Sequence, residues 1–200
     1  SDKKKILFLN KNNNRYMVHN NDYISKLLFI DGEFDYKILK KALKLLGKKH
    51  KKQTLINIGA HIGSSCIEAI KMNHFKKSIA FEPAIRNFRL LKANIFLNEL
   101  ESRIKVYNLA ISKKKTNLYL SINKRGNSGD NRILKKKTKK NNYEKVKSEK
   151  LDNFTANLNR NDTLVFMDVQ GHEPHVFLGA KKTIKKKIPI VFEFSPYLYE

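Results

Sequence analysis

From Thr54 onward the chain alternates short apolar runs with stretches of helical spacing, and that alternation leaves few folds open. The runs are "TLINIGA", "SIAFE", "IKVYNLAI", "TLVFMD" and "IPIVFEF"; between them lie "SSCIEAIKM", "AIRNFRLLKANIFLNEL" and "PHVFLGAKKTI". A strand that is apolar at every position has both faces buried, which is the mark of a parallel sheet covered on two sides. Strands separated by helices supply the crossovers that such a sheet requires. The pattern predicts an α/β fold: a doubly wound, mostly parallel sheet over residues 51–200, with helices on both faces.

Residues 1–50 read as an N-terminal addition packing on that core within a single domain. "KILFL" and "RYMVH" flank the polar turn "NKNNN" and predict a hairpin. One helix is expected after it, with Phe34, Ile38, Leu39, Ala42, Leu43 and Leu46 on its apolar stripe and Gly47 as its stop. The rhythm also breaks around 116–150. There "TNLYLSI" alternates with period two, "NKRGNSGDNR" has loop composition, and "KKKTKKNNYEKVKSEK" is a lysine run, so an antiparallel insertion ending in an exposed loop is expected. Doubly wound sheets usually continue for two or more strands beyond a segment like "IPIVFEF". The sheet is therefore expected to be minimal, or the sequence to be part of something longer.

Charge enters because it bears on partners. The 42 Lys+Arg against 18 Asp+Glu give a formal charge of +24, a field that draws in polyanions. Composition drift accounts for it equally well, since nearly all of the excess is Lys rather than the bidentate Arg. The run Lys135–Lys150 is either a solvated loop or a polyanion contact. The single cysteine, Cys66, excludes an intrachain disulfide framework and fits a reducing compartment. No run approaches the roughly 20 apolar residues needed to span a bilayer. A soluble, cytoplasmic protein is expected.

Ligands of doubly wound sheets bind at the carboxyl ends of the strands, where the strand order reverses. The first core strand ends in "NIGAHIG", where Gly59 permits a tight turn and Gly63 lets the next helix pack close. The N–H groups at that helix start suit an anionic group. The spacing is G-x-x-x-G and not the G-x-G-x-x-G of dinucleotide sites, which weighs against NAD. Glu82 ends the second strand, about twenty residues on, where a rigidly held carboxylate accepts both hydrogen bonds of a ribose diol. Pro83 behind it suits a helix boundary, so Glu82 also reads as a cap. Together they point to an adenosine-containing cofactor.

The segments "INIGAHIG", "IAFEP", "NLAIS", "LDNF" and "FMDVQGHEPHVFLGA" resemble the FkbM-type family of S-adenosylmethionine-dependent methyltransferases, from about Asp22 to about Pro196. The resemblance implies a class I, Rossmann-like methyltransferase fold. It implies that Gly59, Ala60 and Gly63 wrap the methionine part of S-adenosylmethionine, that Glu82 holds the ribose, that Asn108 and Ala110 lie near the adenine, and that Asp168 lies near the sulfonium. Two cofactor positions depart from the family pattern: Asn57 stands where it has Asp, and His61 where it has Asn. Gln170 replaces a Glu. The family's closing strands, after Pro196, are not in this sequence.

The block "DVQGHEPH" holds the candidate chemistry. Methyl transfer to a hydroxyl requires alignment and removal of a proton. Asp168, at a strand's carboxyl end, is a candidate catalytic and cofactor residue. His172, with an ordinary pKa of about 6.5, suits a general base or a turn-tying role. Glu173 precedes Pro174 and reads either as a helix-start carboxylate or as a substrate or base contact. His172, Glu173 and His175 do not match H-E-x-x-H, so no metal is expected. Glu193 is a second-rank candidate for substrate contact. The reading is an O-methyltransferase acting on a small-molecule or glycan hydroxyl. Its competitors are an RNA methyltransferase, and a binding module for nucleic acid or anionic surfaces that has lost catalysis.

Overall fold

The structure, a computed structural model, describes residues 5–11, 13–123, 126–134 and 142–194. Its centre is a five-stranded parallel sheet of β3 (Thr54–Ile58), β4 (Lys77–Phe81), β5 (Ile104–Tyr107), β10 (Thr163–Met167) and β11 (Ile190–Phe192), in the order β11-β10-β3-β4-β5. The chain winds outward from β3 to β5, then returns to β10 on the other side. The order therefore reverses between β3 and β10. Every residue of both strands is buried, because their side chains alternate between two apolar layers. Leu55, Leu164 and Phe166 enter the layer shared with α3 (Ser64–Lys71), α4 (Ile85–Leu97) and the N-terminal elements. Ile56, Ile58, Val165 and Met167 enter the layer under α5 (Glu173–Leu178) and α6 (Lys181–Lys185).

The N-terminal hairpin is present as β1 (Ile6–Lys11) and β2 (Asn14–His19). It is fastened to α4 by Asn94, whose Oδ1 accepts from the Met17 N–H at 2.6 Å and whose Nδ2 donates to the Met17 and Ile62 carbonyls. The single helix expected over the next stretch is two, α1 (Tyr23–Asp31) and α2 (Tyr36–Leu46). Gly32 adopts φ 77° and closes α1 by donating to the Leu28 carbonyl, and Asp35, at φ 62°, reverses the chain into α2.

Two other runs break where the chain must turn. "IKVYNLAI" splits into β5 and β6 (Ala110–Ile111), and "PHVFLGAKKTI" into α5 and α6 at Gly179. A Cβ on Gly179 would lie 2.1 Å from the Ser112 carbonyl oxygen, so the two segments meet backbone to backbone. In the lysine run, residues 135–141 lie outside the described residues. Tyr143–Glu149, expected to continue the exposed loop, is instead strand β9. Its period-two pattern buries Val146 and Ser148 and exposes Lys145 and Lys147. With β6, β7 (Thr116–Ser121) and β8 (Arg132–Ile133), it forms a second, four-stranded sheet ordered β6-β9-β7-β8. Among the described residues no helix is long and apolar enough to cross a membrane.

Candidate functional site

Where β3 ends, the chain turns on Gly59 (φ 79°), and the Gly59 and Ala60 N–H groups donate to the Phe81 carbonyl at 3.0 and 2.9 Å. A Cβ on Gly59 would stand 1.8 Å from the Asp168 carbonyl oxygen, so the turn lies directly against the end of β10. Gly63 (φ 95°) opens α3, and a Cβ there would press on Leu91 and Ile67. Over this end of the sheet lies a cavity of about 470 Å³, within the range of small-molecule sites. Gly59, Ala60, His61, Glu82, Pro83, Ala110, Asp168 and His172 line it.

Four candidates stand outside the wall. Asn57 is buried inside β3, its Oδ1 unpartnered among the described residues, on the face that carries Leu55 towards the helices. Gly63 is a packing glycine. Asn108, expected at the adenine, donates from Nδ2 to the Glu82 and Pro83 carbonyls at 2.9 and 2.8 Å, and so pins the strand end that carries Glu82. Glu173, a candidate acid–base group, is buried and turned back on its own loop, with Oε1 accepting from the Val169 and Gly171 N–H groups at 3.3 and 3.4 Å. Those bonds fit the helix-start role.

Glu82 is held on both oxygens: Oε2 accepts from the His61 N–H and Oε1 from the Ala84 N–H, each at 2.8 Å. Burial pushes its carboxyl up to about 8, against the pull of those two donors. Glu82 lines the cavity, and a carboxylate has acceptor sites beyond those two bonds.

Asp168 sits across the cavity. Gln170, at φ 51°, donates from Nε2 to Asp168 Oδ1 at 2.7 Å and to Glu193 Oε2 at 3.2 Å. Burial, then the Glu193 charge, raises Asp168 well above the usual carboxylate range; the same two causes, in the same order, raise Asp35 to about 6. Three carboxyls therefore share one end of the cavity. No Lys or Arg among the described residues forms an ion pair with Asp168 or Asp35.

His172 also lines the cavity, but its Nε2 is engaged with Ser112 Oγ at 2.9 Å and its ring stacks on His175. Burial, with His175 and Lys113 nearby, lowers it to about 4. It is neutral near pH 7 and a weak base there, contrary to the expectation from its ordinary pKa. No group of three or more metal-ligating side chains stands together among the described residues.

Two walls had no counterpart among the candidate residues. Phe34, Asp35 and Ile38 close the acidic end from the α1–α2 junction. Residues 127–131 close the Glu82 end. Ser128 locks that loop in place: its N–H donates to Asp22 Oδ1 at 2.6 Å, its carbonyl accepts from Asn87, and its Oγ meets His61 Nε2 at 2.7 Å. The Asn/Gly/Ser/Asp composition identified the loop, but nothing local says which wall it forms.

These pKa shifts set a pH dependence. Burial raises Glu68 to about 7 as it raises Glu82 to about 8, above their unfolded value of about 4.3. A raised carboxyl contributes stability that is full below its unfolded pKa and is lost as pH rises through the folded one. His172 acts in the opposite sense, because its lowered pKa costs stability only below about 6.5. His61, His74 and His175, also lowered by burial, act as His172 does and fade over the same range, so above it the raised carboxyls set the slope. The ligand-free melting temperature is expected to fall between pH 6.5 and 8.5, less steeply in Glu82→Gln. A rise over that interval would contradict the assignment.

Fold and site together define a Rossmann-like protein with a cavity at the strand-order reversal, the buried carboxyl of Glu82 at one end and an acidic cluster at the other. The Methyltransferase FkbM domain matches residues 57–200, and the chain belongs to this family of S-adenosylmethionine-dependent methyltransferases. No curated protein matches. The FkbM methyltransferase of Methylobacillus flagellatus KT is similar at 17% identity and a TM-score of 0.49, over 71% of this chain and 32% of that one. The Pyrococcus abyssi tRNA (uracil-54, C5)-methyltransferase, solved with S-adenosyl-L-homocysteine, is similar at 12% identity and a TM-score of 0.47, over 94% of this chain and 34% of that one. This chain thus spans about a third of the length of either structure.

Proposed function

We propose that this chain is an S-adenosylmethionine-dependent O-methyltransferase whose acceptor is a hydroxyl of a small molecule or glycan. The observation that carries the reading is Asp168: a carboxyl at the end of β10, lining the cavity, with its pKa held high by burial and by Glu193. The residues present fit the cofactor. Glu82 would accept from its ribose, the Gly59–His61 backbone would approach its methionine part, and the carboxyls of Asp35, Asp168 and Glu193 would face its positive charge. When bound, S-adenosylmethionine supplies an electrophilic methyl group on a sulfonium.

Asp168 takes the hydroxyl proton as the acceptor oxygen moves into line, and a carboxyl raised toward neutrality is matched to that task. Gln170 orients it, leaving the second carboxylate oxygen for the substrate. His172 holds Ser112 and shapes the wall.

The test is incubation with methyl-labelled S-adenosylmethionine and a panel of phenols, sugars and hydroxy acids. Label in base-stable ethers supports the reading. Label found only in base-labile esters or on nitrogen would overturn the hydroxyl assignment.

A further inference from the structure

We propose that the outward face of the second sheet binds single-stranded RNA. The sheet is antiparallel in its centre, with β9 and β7 as the two middle strands. Its inner face carries Leu120 and Val146 into an apolar cluster with Ala84 and Ala110. The outer face is built by register: Asn117 lies opposite Lys147, Tyr119 opposite Lys145, and Ser121 opposite both Tyr143 and Arg132. Lys145, Lys147, Arg132 and Asn117 are exposed, and Tyr119 and Tyr143 are half-exposed.

The two tyrosines come from the two middle strands and meet edge to face, with ring centroids 5.2 Å apart. A four-stranded sheet with aromatic rings on its central strands, flanked by cations, is a general solution for stacking two or three unpaired bases. The cations stand where the backbone phosphates of such a strand would run. Asn117 and Ser121 place polar groups beside them, able to bond a ribose 2′-hydroxyl. Acidic groups are few here: Asp130 pairs with Arg132 at 2.6 Å, and Glu149 accepts from Asn153 and the Lys150 N–H.

A wholly electrostatic surface would need no aromatic pair, which favours a ligand with flat faces over a lipid headgroup, and stacking of unpaired bases uses such a pair most fully. The face also stands apart from the methyl-transfer site. Leu120 and Ile133 line the cavity from the inner side of the same sheet, so the RNA face is a sheet's thickness away and its occupancy does not depend on the cofactor reading.

The experiment is fluorescence anisotropy of a labelled oligouridylate with the full chain, without cofactor, across a salt series. Binding is expected to weaken by about tenfold or more in Tyr119→Ala/Tyr143→Ala and to survive in Tyr119→Phe/Tyr143→Phe, because stacking needs the ring and not the hydroxyl. Lys145→Glu/Lys147→Glu is expected to weaken binding and to reduce the salt slope by about 1.4, at roughly 0.7 per phosphate contact. Circular dichroism reports whether each variant is folded, and the exposed lysine pair keeps the test open if the tyrosine pair disturbs the sheet. The deoxy oligomer is expected to bind more weakly. Equal affinity for DNA, for a heparin fragment or for anionic vesicles would overturn the assignment to RNA. An affinity that ignores both double substitutions would also overturn it.

Discussion

Replacing Asp168 with Asn is expected to lower the methyl-transfer rate by about 10²–10⁴-fold, the usual contribution of a positioned general base, while the protein melts at the same temperature or higher. The substitution keeps size and shape, and the amide oxygen can still accept from Gln170 Nε2, now at 2.7 Å from Asp168 Oδ1. It removes a buried carboxyl that repels Glu193 and Asp35. The rate and the stability therefore move apart, as they do where an active site holds charge at the expense of the fold. Steady-state label transfer and a melting scan on the same preparation read both. His172→Gln is the comparison: because the histidine is lowered to about 4 and already bonded to Ser112, its loss is expected to cost under about tenfold, well below the 10²–10⁴-fold of a positioned acid or base. An Asp168→Asn enzyme at full rate would remove the carboxyl from the chemistry.

Gly59→Ala is expected to have the largest structural effect. The new Cβ would lie 1.8 Å from the Asp168 carbonyl oxygen, an atom of the neighbouring backbone that no side-chain rotation can move. The position also has φ 79°, a region that costs any L side chain energy. Relief requires the ends of β3 and β10 to separate, which breaks the Asp168 N–H bond to the Ile58 carbonyl at 3.0 Å. A loss of about 3–5 kcal/mol follows, at the upper end for single substitutions, which lowers the melting temperature by roughly 10 °C in a chain of this length. Gly47→Ala separates the two causes. It shares the positive φ, at 71°, and with ψ 178° lies in a region that glycine almost alone adopts, but it has nothing within 4 Å of the added methyl, so it should cost only the backbone strain, about 1–3 kcal/mol. Equal losses at the two glycines, measured by denaturant titration, would show that the clash at Gly59 is absorbed by a backbone shift.

The parallel sheet was legible because its signal is local. β3 and β10 are apolar at every position, and only a sheet covered on both faces satisfies such strands. Gly59 and Glu82 were legible for the same reason: each sits where a strand hands over to a turn. The acidic end was half legible. Asp168 and Glu193 both close strands, but Asp35 reaches the cavity only because Gly32 and its own left-handed conformation fold α1 back on α2. Helical spacing ran straight through that turn.

Three site residues carried more meaning in sequence than their side chains could show. Glu173 before a proline reads as a cap or as an acid–base group, and the bonds to Val169 and Gly171 that favour the first are not visible in sequence. Asn108 belongs to a strand-end motif, but its amide is spent on two backbone carbonyls. The basicity of His172 was read from its ordinary pKa, and burial, which sequence does not display, removes it.

The central claim is that the cavity holds a sulfonium nucleoside between Glu82 and the carboxyls of Asp35, Asp168 and Glu193. Calorimetric titration with S-adenosylmethionine and with S-adenosylhomocysteine, at pH 6 and pH 8, tests it most directly. Both ligands should bind more tightly at pH 8, because a ribose diol favours ionised Glu82, whose carboxyl lies near about 8 in the free protein. The cationic ligand should gain more than its neutral product over the same interval, since ionising the acidic end attracts only the former. Equal, pH-independent affinities for the two, or no binding of either, would contradict the account.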